Sequence, residues 1–220
     1  MNRFPFDVVA FDLDGTLLDT APDLTLAVNH MLLKLDRDQL SQETVIKMIG
    51  GGMRLLMERT LGATGAATPD LVNAALPVFL DYYESHLADQ THPYEGAGQA
   101  LDALRLAGAI LVICTNKPEH LTRRLLQTFA WEKHFAAVIG GDTLKARKPD
   151  PTVLREAIRL AGGGRGVLVG DSITDVETAR AAKVPSVIMT FGYRDRPANE
   201  LGATRLVASY DQLVPALLDL

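Results

Sequence analysis

Short apolar runs and amphipathic stretches alternate along this chain, and their order predicts its architecture. Val8, Val9, Ala10 and Phe11 form a run long enough for a buried strand. From Ala21 to Leu35 the period lengthens. Leu24, Val28, Met31 and Leu35 recur at helical spacing, with Ala27 and Leu32 widening the stripe. Pro22 suits the first turn of that helix, where its missing N–H costs nothing. Ser41 is placed to cap a short helix through Met48, and Gly50, Gly51 and Gly52 end it. Met53 to Leu61 reads as another helix. Thr68 and Pro69 form an N-cap and first-turn pair for a helix through about Leu87.

Strands return after Pro93. A helix from Ala97 to Ala107 precedes Ala109 to Cys114, a continuous apolar run of the kind buried on both faces. Helices opened by Pro118 and by Asp150-Pro151 flank a short strand, Ala136 to Gly140. Gly166 to Gly170 predicts a strand, Asp175 to Ala182 a helix, and Pro185 to Thr190 and Arg205 to Ala208 two further strands before a last helix, Tyr210 to Leu220. Strands alternating with helices imply a doubly wound parallel sheet covered on both faces. Residues 18–92 read as helical throughout, with no strand, which predicts an all-helical domain inserted after the first strand. The expected division is a core of residues 1–17 and 93–220 and an insertion of 18–92.

Composition narrows the setting. The chain has 220 residues, enough for one α/β domain with an insertion. Its single cysteine excludes an internal disulfide, which fits a reducing compartment. A net charge of −5 argues against general nucleic-acid binding, so attraction of an anion must come from local charges or a metal. Arg3 is the one basic residue before the first apolar run, which Asp12 interrupts, and no stretch reaches membrane-spanning length. The expectation is a cytoplasmic protein, monomeric or homodimeric, with no membrane or nucleic-acid partner.

The chemistry gathers at strand ends. Asp12 and Asp14 follow the first run at once, and Gly15 and Thr16 come next. Residues two apart on a strand point the same way, so both carboxylates project into one space, while Gly15 lets the chain turn. Ligands of such sheets bind beyond the carboxyl ends of the strands, and adjacent carboxylates call for a positive partner. Thr115-Asn116 ends the second long run, where a hydroxyl and backbone N–H groups suit a phosphate oxygen. Lys148 lies between Ala146-Arg147 and Pro149-Asp150-Pro151, two prolines stiffening the segment. Asp171 and Asp175 follow Gly166 to Gly170, offering hard oxygen ligands for a magnesium ion. Each cluster has an ordinary reading as a cap, turn or surface charge. Their joint occurrence at the ends of strands in one sheet points to one phosphoryl group and one cation.

These four clusters resemble the motifs of the haloacid dehalogenase superfamily of aspartate-nucleophile phosphatases: Asp12-Leu13-Asp14-Gly15-Thr16, Thr115-Asn116, Lys148 before Pro149, and Gly170-Asp171-Ser172 with Asp175. The resemblance covers the whole chain, residues 18–92 being similar to the family's helical cap. Gly50-Gly51-Gly52, Thr115-Asn116-Lys117-Pro118 and Lys148-Pro149-Asp150-Pro151 are similar to the phosphoglycolate phosphatase branch. The resemblance implies Asp12 as nucleophile and Asp14 as general acid and base. It implies Mg²⁺ held by Asp12, the backbone carbonyl of Asp14 and Asp171, with Asp175 supporting that shell. Thr115, the N–H of Asn116 and Lys148 are implied to hold the transferring group. Asp14 disfavours a dehalogenase, and Thr16 disfavours a phosphoglucomutase. The expected substrate is a small phosphorylated anion, 2-phosphoglycolate first. An inorganic pyrophosphatase, a sugar-phosphate phosphatase or mutase, and a phospho-accepting receiver module are the rivals. In the cap, Arg54 is either a substrate-carboxylate ligand or an exposed helix arginine. The five histidines show no metal spacing.

Overall fold

The computed structural model describes residues 4–220, so Arg3 and the first three residues of the expected core lie outside it. The first strand, β1 (Val8–Phe11), is followed by the two-residue strand β2 (Leu18–Asp19). Helices α1 (Ala21–Lys34), α2 (Gln42–Ile46), α3 (Met53–Ala63) and α4 (Pro69–Ser85) come next, and then β3 (His92–Pro93). The rest alternates as α5 (Ala97–Leu106), β4 (Ile110–Cys114), α6 (Glu119–Thr128), β5 (Phe135–Ile139), α7 (Pro151–Leu160), β6 (Gly166–Gly170), α8 (Ile173–Ala182), β7 (Ser186–Met189), β8 (Arg205–Val207) and α9 (Leu213–Leu218).

Six strands form one sheet in the order β5-β4-β1-β6-β7-β8, every pair parallel. The side-chain alternation of β1 shows why both faces must be covered. Val9 and Phe11 enter one apolar cluster, with Leu111, Ile113, Val167 and Val169 of the neighbouring strands and Leu121 and Leu125 of α6. Val8 and Ala10 enter the other, with Val112, Leu168, Val153 and Leu154 of α7 and Ala179 of α8. β1 and its neighbours β4 and β6 are thus apolar on both sides, as their uninterrupted runs require. The chain builds outward from β1 to β4 and β5, then crosses to β6 on the opposite flank. That reversal between β1 and β6 is a topological switch point, where a crevice opens beyond the strand ends.

The helices between β2 and β3 pack on one another and onto the first of these clusters through Leu24, Val28, Leu56, Val72 and Phe79. Two predicted caps are present: Ser41 Oγ accepts from the Thr44 N–H at 3.2 Å, and Thr68 Oγ1 from that of Leu71 at 3.3 Å. One expectation is corrected. Residues 18–92 are not free of strand, because Leu18 pairs with Pro93 and Asp19 with His92 in an antiparallel ribbon. Two residues per strand are too few to carry a periodic signal, and the pairing depends on residues more than seventy positions apart. A second correction concerns the C-terminus, where the predicted helix from Tyr210 begins as a 3₁₀ turn and becomes α-helical at Leu213.

Asp23, in the first turn of α1, fastens the same crossing point. Its fully buried carboxylate accepts from the backbone N–H groups of Gln90 and Thr91 at 3.0 and 2.8 Å, and from the Thr91 hydroxyl at 2.7 Å. Hydrogen bonds to an ionised acceptor are the strong kind, so the two connections into the helical segment are held side by side.

Candidate active site

Asp12, Asp14, Thr115, Asn116, Lys148, Asp171 and Asp175 all lie at the carboxyl edge of the sheet. β1 delivers Asp12 and β6 delivers Asp171, on the two sides of the switch point. Asp12 is nearly buried; its Oδ1 accepts from the Leu13 N–H at 2.8 Å and its Oδ2 lies 3.0 Å from Lys148 Nζ. The same ammonium donates to Asp175 Oδ1 at 2.7 Å. The other oxygen of Asp175 accepts from the backbone N–H and hydroxyl of Ser172, so Asp175 both closes the N-terminus of α8 and fixes the lysine. α8 begins at Ile173 rather than Asp175, which places Asp175 inside its first turn.

Asp171 is oriented by Thr16, whose hydroxyl donates to Oδ1 at 3.1 Å, and by the Tyr193 N–H, which donates to Oδ2 at 2.5 Å. Two glycines give it room. Gly15 turns with φ +78°, and a Cβ there would lie 2.4 Å from Asp171 Oδ2. A Cβ on Gly192 would lie 2.2 Å from the Cβ of Asp171. The tight turn after the first motif therefore holds the backbone against the carboxylate, which no L side chain at either position permits without displacement.

Asp12, Asp171 and Asp175 each offer a carboxylate oxygen, and these oxygens lie within 4.8 Å of one another. Three buried carboxylates against one lysine leave an excess of negative charge suited to a divalent cation, and an all-oxygen donor set suits a hard one. Electrostatics carry the mark of this crowding. Burial first, then the charges of Asp175 and Asp14, push the Asp12 carboxyl up to about 6 from 3.8, with Lys148 opposing. Burial and the neighbouring Asp175 and Asp12 raise Asp171 well above the carboxylate range. Burial disfavours the charge on Lys148, but Asp12 and Asp175 hold its proton well above the usual lysine range.

A stability prediction follows with a definite sign. Between 3.8 and about 6 the folded chain binds a proton on Asp12 that the unfolded chain has released. In chelator, the contribution of Asp12 to folding therefore falls as pH rises through that window and is level above it. Thermal unfolding of the wild type and of Asp12→Asn should show this directly. The variant gains on the wild type between about pH 4 and about pH 6, and a constant difference would contradict the assignment.

Asp14 faces the helical segment. Its Oδ1 accepts from the Thr20 hydroxyl at 2.8 Å and from Lys117 Nζ at 3.0 Å. A narrow cavity, partly open to solvent, separates the strand edge from α1 and α3. Asp12, Asp14, Thr115, Asn116 and Lys117 line one side, and Leu24, Ile49, Met53 and Leu56 line the other. The glycine segment closes onto it: the Asn116 amide donates to the Gly50 carbonyl at 3.1 Å and to that of Lys148 at 3.0 Å.

Arg54 is placed elsewhere. Its guanidinium donates to Asn73 at 2.8 Å and pairs with Glu58 at 3.2 Å along the half-exposed face of α3, outside the cavity lining. The cation that does line the cavity is Lys117, which residue-by-residue reading left unassigned. The usable signal was parity: Thr115 and Lys117 stand two apart after β4, as Asp12 and Asp14 do after β1. Thr16 and Tyr193 were missed for different reasons. Thr16 was read only as part of a motif, and Tyr193 sits in a loop with no period.

Comparison with known proteins agrees with this geometry. The family described as haloacid dehalogenase-like hydrolase matches residues 9–189. The chain is 39% identical over 216 residues to a Mesorhizobium japonicum protein called phosphoglycolate phosphatase, covering 96% of this chain and 95% of the relative. A Caulobacter vibrioides protein of the same name is 40% identical over 215 residues, covering 96% of this chain and 91% of its own. Among solved structures, one described as a predicted phosphoglycolate phosphatase from Haemophilus somnus superposes with a TM-score of 0.90 at 28% identity, covering 96% of this chain and 97% of that one. The four polar clusters, the switch-point sheet that assembles them and these alignments lead to one conclusion: the chain belongs to the haloacid dehalogenase-like hydrolase family.

Proposed function

We propose that this chain is a magnesium-dependent phosphomonoesterase that converts 2-phosphoglycolate to glycolate and phosphate through an aspartyl-phosphate on Asp12. The observation that carries the reading is Asp12 itself. Its carboxylate is fixed by Lys148 and the Leu13 N–H beside Asp171 and Asp175, and the same residue lines the cavity into which Asp14 also opens. The names of the relatives above support the choice of substrate.

In the first step an Asp12 oxygen attacks phosphorus and the bond to the ester oxygen breaks. The departing electron pair takes the proton carried by Asp14, releasing glycolate. In the second step water attacks the aspartyl-phosphate, Asp14 takes the proton of that water, and the bond from Asp12 to phosphorus breaks. Lys148 balances charge on the transferring group, while Thr115 and the Asn116 N–H orient its oxygens. Asp12, Asp171 and the carbonyl of Asp14 would hold Mg²⁺, with Asp175 supporting them; the bound ion supplies neutralisation of phosphoryl charge. Residues 18–92 act as a cap over a core of 1–17 and 93–220, hinged at β2 and β3, and exclude water when closed. The setting that suits this reaction is the cytoplasm, with the chain as monomer or homodimer.

Phosphate release across a panel of small metabolites tests the reading. With Mg²⁺, 2-phosphoglycolate should give the highest kcat/KM, and chelation should abolish turnover. Higher kcat/KM for pyrophosphate or a sugar phosphate would replace the substrate, and no multiple turnover with any ester would remove the enzyme reading.

A further inference from the structure

Lys117 is an unusual residue for its place. It follows the end of β4 by three positions, yet its side chain has no exposed surface. Its ammonium reaches across from the sheet edge to the helical segment, donating to the Tyr83 hydroxyl of α4 at 2.6 Å and to Asp14 Oδ1 at 3.0 Å. It also stands 4.7 Å from the centre of the Tyr83 ring. Burial opposes its charge, but Asp14 and Tyr83 outweigh that and keep it protonated, with the ammonium pushed up to about 12. A desolvated ammonium is expensive to hold, so a use for its charge is expected. Two of its three N–H groups are accounted for by Asp14 and Tyr83.

The surroundings say what that use is. Among the residues that line the cavity, Lys117 is the cation; Leu24, Ile49, Met53 and Leu56 are apolar, and the other charged groups are Asp12 and Asp14. Lys148 is committed to Asp12 and Asp175, and Arg54 to Asn73 and Glu58. We propose that Lys117 is the specificity-determining residue, its ammonium binding an anionic group carried by the leaving alcohol two bonds from the ester oxygen. This rests on the phosphatase reading and deepens it. Asp14 meets the ester oxygen, and Lys117 adjoins Asp14, so a carboxylate two bonds further along the leaving group falls within hydrogen-bond reach of Lys117.

Three phosphomonoesters distinguish the possibilities: 2-phosphoglycolate, its amide carbamoylmethyl phosphate, and ethyl phosphate, assayed with saturating Mg²⁺. The wild type should prefer 2-phosphoglycolate over the amide by about 100-fold in kcat/KM, the discrimination a buried charged pair provides. In Lys117→Met that preference should shrink to within about 5-fold, the loss falling mainly on the carboxylate substrate, and Lys117→Arg should restore part of it. Parallel losses for all three esters would make Lys117 a positioning residue for Asp14 and overturn the proposal. A wild type that treats acid and amide alike overturns it without any variant, so a Lys117→Met protein that fails to fold does not protect it. A wild type that hydrolyses none of the three refutes the 2-phosphoglycolate reading, and this inference with it.

Discussion

Replacing Asp12 by asparagine is expected to leave the chain folded and to lower kcat by about 10⁴-fold or more. Removal of a nucleophile from a preorganised site has effects of that order, because the remaining groups cannot form the covalent intermediate. The substitution is close to isosteric. Asparagine keeps an oxygen for the Leu13 N–H, and Lys148 keeps Asp175 at 2.7 Å. Folding should not suffer, because in chelator the ionised carboxylate is itself unwelcome in the cluster: burial and the charges of Asp175 and Asp14 raise Asp12 to about 6. Above that pH the wild type folds against its own repulsion. In chelator at neutral pH, Asp12→Asn should melt at or above the wild-type temperature while phosphate release is lost. Near-normal turnover in the variant would remove Asp12 from the chemistry.

The second large effect is expected at Lys148, and it falls on stability as well as rate. The ammonium is 3.0 Å from Asp12 Oδ2 and 2.7 Å from Asp175 Oδ1, and the three side chains are 1%, 8% and 0% exposed. Lys148→Met conserves volume but leaves the buried carboxylates of Asp12, Asp171 and Asp175 without their cation. Breaking a buried pair in this way costs about 3–5 kcal/mol, because the surviving charges stay desolvated. Urea denaturation in chelator should register that loss. Mg²⁺ should recover part of it by mass action on the folded state, since it brings positive charge to the same carboxylates. Activity should stay depressed by about 10³-fold even with Mg²⁺, since in the proposed mechanism Lys148 also balances charge on the phosphoryl group. A change below about 1 kcal/mol would mean that the cluster is solvated and the carboxylates are not in conflict.

The centre of the sheet was legible because β1, β4 and β6 are continuous apolar runs followed at once by a polar residue, and largely buried strands leave that record. Asp12, Thr115 and Asp171 were legible for the same reason: a polar residue directly after such a run stands at the sheet edge. Asp14 and Asp175 follow within a few residues, whereas Lys148 lies well beyond the end of β5 and stood out by its stiff proline-flanked segment and the family resemblance. What escaped depends on distance in the chain. Asp23 reads as an ordinary acid in the first turn of a helix, and only the fold brings Gln90 and Thr91 to it. The β2–β3 ribbon is too short for a period. Tyr193 orients Asp171 with a backbone N–H that any residue could supply, and its hydroxyl donates to Asp19 at 2.6 Å across a separation of 174 residues. Of Arg54 and Lys117, Arg54 is the cation that stands out in the sequence, whereas Lys117 is the one that lines the cavity. An arginine just past a glycine loop resembles an anion ligand, whereas a lysine between an asparagine and a proline resembles a solvated loop residue. Burial decides between them, and burial of a single charged side chain is a tertiary property.

Chemical trapping at position 12 tests the central claim most directly. Enzyme turning over 2-phosphoglycolate with Mg²⁺ would be quenched rapidly in acid, reduced with borohydride and digested for peptide mass spectrometry. An acyl phosphate on Asp12 is expected to appear as homoserine at that one position, dependent on substrate and on Mg²⁺. Phosphate released in the first turnover with Asp12 unmodified, or reduction at another carboxylate, would contradict the account.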